Sequence, residues 1–526
     1  MRIDRSGWSG SAEPSRSWPA DLILLTLLAF ALAPVWSVQR LPTQDGPSHI
    51  YNASVLAQLL RPSSGIRSTF TIRAEPFPNW AGHATLAGLI AVGLDPVMSE
   101  KIFLSLYLVG MAFGTRYLLR AIGPGQVAWA PLSLALAYNF PFFMGYYNFL
   151  MGIPLALFLL GYAWRHRERL DLGPALILSF GLVMVYFAHL VAFGAASLGT
   201  LILMVGGSRP GHRFETLGKL NLICLPAAAL LGWFVTSSDR GYVSDAPAWS
   251  VVSGSEDGPA KLVGRLASSV LLPTPHHSPI AMGLALTVLG VVILAGAFAS
   301  LRARRSTEPP ATKAPFWVLA VELIALALIF PQNWGNHGGA FTERIAIFIG
   351  LIGLACLPTV RTKLGLILTL AASTVVAGLG LSASSAEIHE GDRSLSALLE
   401  GLPDMPKGSR VLPMLLHAQP EDRILLLEHL TDYLCLGEGV VNWDDYEARG
   451  FCFPVRFREG VEPPDPGDYR RGDYSRLDRD LGRVDVVLAG PRCPQELRDR
   501  LASALPVVRR VGKVTIYSRS PLDLRP

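Results

Sequence analysis

The sequence predicts a polytopic α-helical membrane protein of about 11–12 spans with a C-terminal soluble α/β domain. Three observations carry that reading. Half of the 526 residues are hydrophobic and only 17% are charged, against about 25% in ordinary soluble domains. The mean hydropathy is positive, at +0.36. The charge is also unevenly placed: residues 382–526 hold 24 of the 41 acidic and 20 of the 46 basic groups. Residues 1–381 are therefore apolar and net basic and form a multi-spanning membrane domain, and 382–526 form a soluble domain. This composition excludes a disordered chain and a disulfide scaffold. The +5 balance does not imply a nucleic-acid partner, because the basic residues gather in short runs between apolar stretches, as loops on the cytoplasmic side do.

Along the chain, apolar runs at 20–38, 80–95, 100–120, 126–142, 144–164, 173–190, 191–206, 217–236, 278–301, 315–331, 341–358 and 363–381 are the candidate spans. Several are shorter than the roughly 20 residues of a perpendicular crossing, as broken or re-entrant helices are. The basic runs Arg165–Arg169, Ser208–Arg213, Leu301–Arg305 and Arg361–Lys363 set the orientation. With these inside, the first loop, 39–79, and the tail lie outside. An odd number of spans satisfies every basic loop, with 126–142 and 144–164 merged across Asn139, Pro141 and Gly145. The expected location is the inner (cytoplasmic) membrane, with the C-terminal domain extracytoplasmic.

In the first loop, Pro47–Leu60 has helical periodicity, with Ile50, Ala53, Leu56, Ala57 and Leu60 on one face, and is expected to lie along the membrane surface. In the tail, 395–402, 421–430 and 495–504 read as helices and 409–414, 484–489 and 513–517 as strands; the Pro-, Gly- and Asp-rich stretch 459–479 reads as an excursion. Of five cysteines, Cys435 and Cys452 are placed to pair if the tail is outside. Neither phosphate loop, dinucleotide fingerprint nor serine-nucleophile elbow occurs.

The most informative stretch is Leu41–Asn52. Asp45 precedes Gly46-Pro47 at a turn that opens a helix, directly after the first span, and His49 follows one helical turn on. A carboxylate there is placed to take a proton from an acceptor hydroxyl, with burial near lipid raising its pKa; His49 orients it or pairs with a phosphate. The plainer reading makes Asp45 a helix cap. Arg344, following the polar run Gln332–Glu343, is placed to bind a lipid phosphate bidentately; Glu343 neutralises it or forms a structural ion pair with it. Tyr147 and Asn148 in an aromatic stretch, His189 within an apolar run, Glu343 and His337 are the candidate cavity-lining residues. The competing readings are an aromatic belt for the first pair and a helix cap for His189. The histidine spacings match no metal motif, and no cofactor is expected, although a divalent metal stays open.

A first span, an acidic residue opening a long first outer loop with surface helices, many further spans and an outer tail together resemble the GT-C class of integral-membrane glycosyltransferases. The resemblance implies transfer of a sugar from a polyprenyl-phosphate donor, with Asp45 as catalytic base. Where that class often has Asp-Glu, this chain has Asp45-Gly46. The implied partners are a lipid-linked sugar donor, a glycan, lipid or protein acceptor, and membrane lipid. The alternatives are a transporter or flippase of lipid-linked saccharides and a non-catalytic assembly protein of envelope polysaccharide. Polar residues at the ends of spans, with no internal repeat, favour the enzyme.

Overall fold

A computed structural model describes residues 18–237, 259–274, 276–303, 313–330, 339–414, 424, 428–450 and 452–521. His337 and most of the expected 421–430 helix lie outside the described residues. In chain order the first helices are α1 (Trp18–Ser37), α2 (Gly46–Leu59), α3 (Ala81–Ala91), α4 (Pro96–Ile122), α5 (Phe140–Phe143), α6 (Tyr147–His166), α7 (Leu172–Ala188), α8 (Leu190–Gly207) and α9 (Arg213–Thr236). They are followed by α10 (Pro259–Val270), α11 (Pro279–Ala303), α12 (Ala314–Ile329), α13 (Phe341–Cys356) and α14 (Lys363–Leu399). Among the described residues, seven helices are long and apolar enough to cross a membrane by length and composition. The apolar helices α3, α7 and α12 are shorter. The molecule is a multi-pass helical membrane protein with a small strand-containing C-terminal region.

The outward faces of the spans are those of a protein solvated by lipid. The apolar windows of α9 and α11 are only 22% and 17% buried, and Leu222, Leu225, Leu284 and Leu294 stand exposed on them. In water such surfaces would drive association.

Between α4 and α6 the chain departs from regular helix. Residues Pro124–Leu136 form a 3₁₀ segment, Asn139 caps the single turn of α5 by accepting from Phe142 N at 3.0 Å, and Gly145 has φ +75°. The expected interruption at Asn139, Pro141 and Gly145 is thus present, and it separates two different backbones instead of kinking one long span. Non-helical backbone survives at such depth only when protein surrounds it. Residues 126–136 are all buried, and Gln126 Nε2 donates to the carbonyls of Leu354 and Leu357 at 2.9 and 3.0 Å.

The C-terminal region adds β2 (Arg410–Met414), β3 (Val441–Asn442), α15 (Tyr446–Arg449), β4 (Val455–Phe457), α16 (Pro466–Arg470), α17 (Leu477–Leu481), β5 (Val486–Ala489), α18 (Gln495–Ala504), β6 (Val507–Val511) and β7 (Val514–Ser518). Its sheet has the order β3-β2-β5-β7-β6: β2 pairs parallel with β3 and β5, and β7 antiparallel with β5 and β6. The two expected strand runs at 409–414 and 484–489 are its parallel core. All five cysteines are free thiols, so Cys435 and Cys452 do not pair.

Two features join this region to the rest. Residue 381 falls inside α14, one uninterrupted 37-residue helix that continues from the apolar part into the tail. A two-stranded ribbon then pairs β1 (Phe70–Ile72) of the first loop with β4, in the register Phe70↔Phe457 and Ile72↔Val455. The helix α2, expected on the membrane surface, is instead buried along its length, apart from the partly exposed Gln58. The reason is polar as much as apolar. Tyr51 Oη donates to Val440 O at 3.1 Å and accepts from Asn442 N at 2.8 Å, Asn52 Nδ2 donates to Asp445 at 2.9 Å, and Gly439 N donates to Gln58 Oε1 at 2.8 Å. The tail covers the face that water or lipid headgroups would otherwise satisfy.

Candidate active site

The candidate site is assembled where α2, the start of α3, the turn before α6, the start of α13 and α15 converge. Asp45 is held by its backbone. Gln44 N donates to Phe143 O at 2.9 Å and Asp45 N to Met144 O at 3.0 Å, which lays the residue on the turn after α5. That turn needs glycine twice over: Gly145 has positive φ, and a Cβ on it would stand 2.5 Å from Gly46 N and 2.9 Å from Asp45 N. Gly46 is equally constrained, since a Cβ there would collide with Thr43 Oγ1 and the Tyr147 hydroxyl.

Asp45 is the N-cap residue of α2 by position, yet its side chain makes no capping bond. Its carboxylate instead accepts from Gln44 Nε2 at 3.3 Å and has His429 Nε2 at 3.8 Å. Burial pushes its pKa up to about 6; the His49 charge opposes this, Glu447 adds to it, and Arg344 opposes it weakly. A carboxyl poised there is suited to proton transfer near neutral pH.

One turn on, His49 belongs to a buried group of three. Its Nδ1 lies 2.8 Å from Glu447 Oε1 and 3.3 Å from His83 Nε2, and His83 Nε2 lies 2.6 Å from Glu447 Oε2. Burial pushes the His49 imidazolium down, but the Glu447 carboxylate, Asp45 and a hydrogen bond to the Gly145 backbone more than offset it, so its pKa stands above the ordinary value. Glu447 is the reverse: burial raises it, and the two imidazoles together hold it far below the carboxylate range. Asp445 caps α15 by accepting from Ala448 N at 3.1 Å, and burial beside Glu447 raises its pKa to about 7.

Arg344 opens α13. Its guanidinium lies over the Tyr146 ring at 4.2 Å and that of Phe149 at 5.9 Å, and it donates to Gly339 O at 2.8 Å. Its Nε is buried with no hydrogen-bond partner. Asp45 and Glu343 are the carboxylates within its electrostatic reach. Tyr446 stacks on His429 with ring centroids 4.7 Å apart.

The structure therefore brings Asp45, His49, Arg344 and Glu343 of the expected residues together. Tyr147 and Asn148 have packing and positioning roles. The Tyr147 hydroxyl bonds to Glu100 and Thr43 while its ring lies 5.3 Å from that of His49, and Asn148 accepts from Gly82 N at 2.9 Å and contacts His83 Nδ1 at 3.0 Å. His189 ends α7 and caps α8, accepting from Val191 N at 3.1 Å, with Arg344 within electrostatic reach.

Sequence reasoning missed His83, Glu447, His429 and Tyr446. A signal existed for His83, an ionisable residue opening an apolar run. Glu447 sits in Asn442-Trp-Asp-Asp-Tyr-Glu447, a dense cluster of carboxylates and aromatics that reads equally well as solvated tail.

No family model and no curated protein matches the chain. Among solved structures, the cryo-EM structure of arabinofuranosyltransferase AftD from Mycobacteria is similar at 14% identity and a TM-score of 0.45, over 97% of this chain and 40% of that one. A mutant of the same protein, in its second class, gives 15% and 0.43 over 97% and 42%. The chain thus spans less than half the length of the protein it resembles.

Proposed function

We propose that the protein is a membrane glycosyltransferase that moves a sugar from a polyprenyl-phosphate donor to a glycan, lipid or protein acceptor. On this reading the site faces the outer side of the inner membrane. The observation that supports it is the meeting, 299 positions apart in sequence, of a carboxylate released from helix capping and an incompletely bonded guanidinium, each within the other's electrostatic reach. Asp45 forms no cap bond, and Arg344 keeps a buried Nε without a partner. A buried cation in that state favours an anion beside it.

The chemistry follows from that pairing. Asp45 takes the proton of the acceptor hydroxyl as its oxygen bonds to the anomeric carbon. The bond from that carbon to the donor phosphate oxygen breaks, and its electron pair leaves on the lipid phosphate. Arg344 neutralises the charge that grows there, the form of stabilisation worth most in a water-poor site. Tyr146 holds the guanidinium flat by stacking. His429, 3.8 Å from Asp45, limits which way the carboxylate turns.

The test is transfer of radiolabelled sugar from a polyprenyl-phosphate donor by the purified protein. Asp45→Asn is expected to reduce turnover at least about 100-fold with unchanged thermal unfolding. Arg344→Gln is expected to reduce it about as much. Full transfer by a folded Asp45→Asn protein would remove the reading.

A further inference from the structure

We propose that His49, His83 and Glu447 form a structural site for a zinc-class divalent transition-metal ion that fastens the C-terminal region to the first loop. The inference rests on the group's geometry and stands whatever the reaction is. The donor atoms of the three side chains lie within 4.8 Å of one another, and all three residues are buried. Two imidazoles and one carboxylate are a donor set suited to zinc. A nitrogen–nitrogen spacing of 3.3 Å is close to that of two ligands sharing an ion at about 2.0–2.1 Å. Glu447 offers Oε1 towards His49 and Oε2 towards His83, so the carboxylate can supply two of four donors.

Hydrogen bonding alone leaves this group unfinished. Glu447 Oε1 is buried and accepts no hydrogen bond, although His49 Nδ1 is only 2.8 Å away. The nitrogen is close but out of line, an arrangement that a shared ion between the atoms accounts for. A backbone hydrogen bond to Gly145 engages the imidazole of His49, the kind of outer contact that fixes a metal-binding histidine. Aromatic rings wall the group from water: Phe453 lies 6.1 Å from His49 and 5.7 Å from His83, and Tyr147 lies 5.3 Å from His49. A closed, dry site of this kind holds an ion for structure; a catalytic one keeps a position open.

Asn148 sets how tightly the ion is held. Its Oδ1 accepts from Gly82 N, which leaves Nδ2 to donate to His83 Nδ1 and puts the His83 proton on Nε2, against Glu447. Ion binding at Nε2 requires the neutral ring to carry its one proton on Nδ1 instead, and the Asn148 amide must then turn to accept it, giving up Gly82 N. A carboxylate at 148 would accept from both at once.

The experiment is elemental analysis of the full-length protein purified in detergent and dialysed without added metal. About one zinc-class ion per chain is expected, with chelation lowering the unfolding temperature. Exchange with cobalt(II) should give the intense visible absorption of a tetrahedral site. Asn148→Asp is expected to tighten zinc binding about 10-fold or more, a gain that a variant failing to fold cannot imitate. His83→Ala and Glu447→Gln, where folded, should abolish stoichiometric binding. A wild-type protein that retains no ion, takes up neither zinc nor cobalt and is unmoved by chelator overturns the proposal. So does undiminished binding by folded His83→Ala.

Discussion

At the scale of single residues, the position of the candidate base depends on a glycine as much as on Asp45. Gly145 combines φ +75° with a backbone approach that leaves no room for a Cβ between it and residues 45 and 46. Gly145→Ala adds left-handed strain of about 1–3 kcal/mol and pushes Asp45 away from its neighbours. Stability in a denaturant titration should fall by at least that amount, and transfer activity should fall further than stability alone accounts for. An alanine variant as stable and active as the parent would show that the turn is not what places the carboxylate. Asp45, His49 and Arg344 were legible in the sequence because each is an ionisable group at the margin of an apolar run, where its desolvation calls for a reason. His83 and Glu447 were not, because their meaning is mutual: 364 positions separate them. A carboxylate in a charge-rich tail carries no mark of being fully buried.

At the scale of elements, periodicity located α2 to within a residue at each end, Gly46–Leu59 against the expected 47–60. It could not tell which solvent the polar face meets. Tyr51, Asn52 and Gln58 are as apt for headgroups as for the backbone and carboxylates of a covering domain, and the structure assigns them to the latter. The short ribbon of β1 and β4 was likewise invisible, because three-residue strands lack a detectable alternation and the pairing joins positions as distant as Phe70 and Phe457. The ribbon nonetheless anchors the cover. Phe70 is 1% exposed and stacks on Phe457 with ring centroids 5.0 Å apart. Phe70→Ala removes that contact and leaves a cavity, at a cost of about 3–5 kcal/mol. Limited proteolysis should then cut 60–80 faster than in the parent while the spans stay protected. Equal cleavage rates in the two proteins would mean that the ribbon contributes little to docking the tail.

At the scale of the whole molecule, membrane part and tail are mechanically continuous. The composition shift near residue 381 is real, but α14 runs through it without a break, since the Ala and Glu residues beyond it extend a helix about as readily as Leu does. The extension is held from two sides. Asp392 accepts from the backbone N–H of Gln39 and Arg40 at 3.2 and 3.0 Å, next to the first loop. From the other side, His276 lies between Glu387 and Glu390, with Nδ1 at 2.7 Å and Nε2 at 2.9 Å. The hydrogen bond to Glu387 raises the His276 pKa above its ordinary value; partial burial opposes this, and the Glu387 and Glu390 charges add to it. The neighbouring His277, bonded to Thr274, is within electrostatic reach of His276. Because the folded pKa is the higher one, the stabilisation is fully present below about 6.5 and is lost as pH rises through the folded value. The unfolding temperature of the detergent-solubilised protein should therefore decline over the interval just above pH 6.5. In His276→Gln, which keeps a hydrogen-bond donor but carries no charge, that decline should flatten, with the difference from the parent largest at the acid end. The group is partly exposed, so added salt should shrink the effect. A parent and variant with parallel pH profiles would show that the two glutamates hold the loop to α14 without a charge on the imidazole.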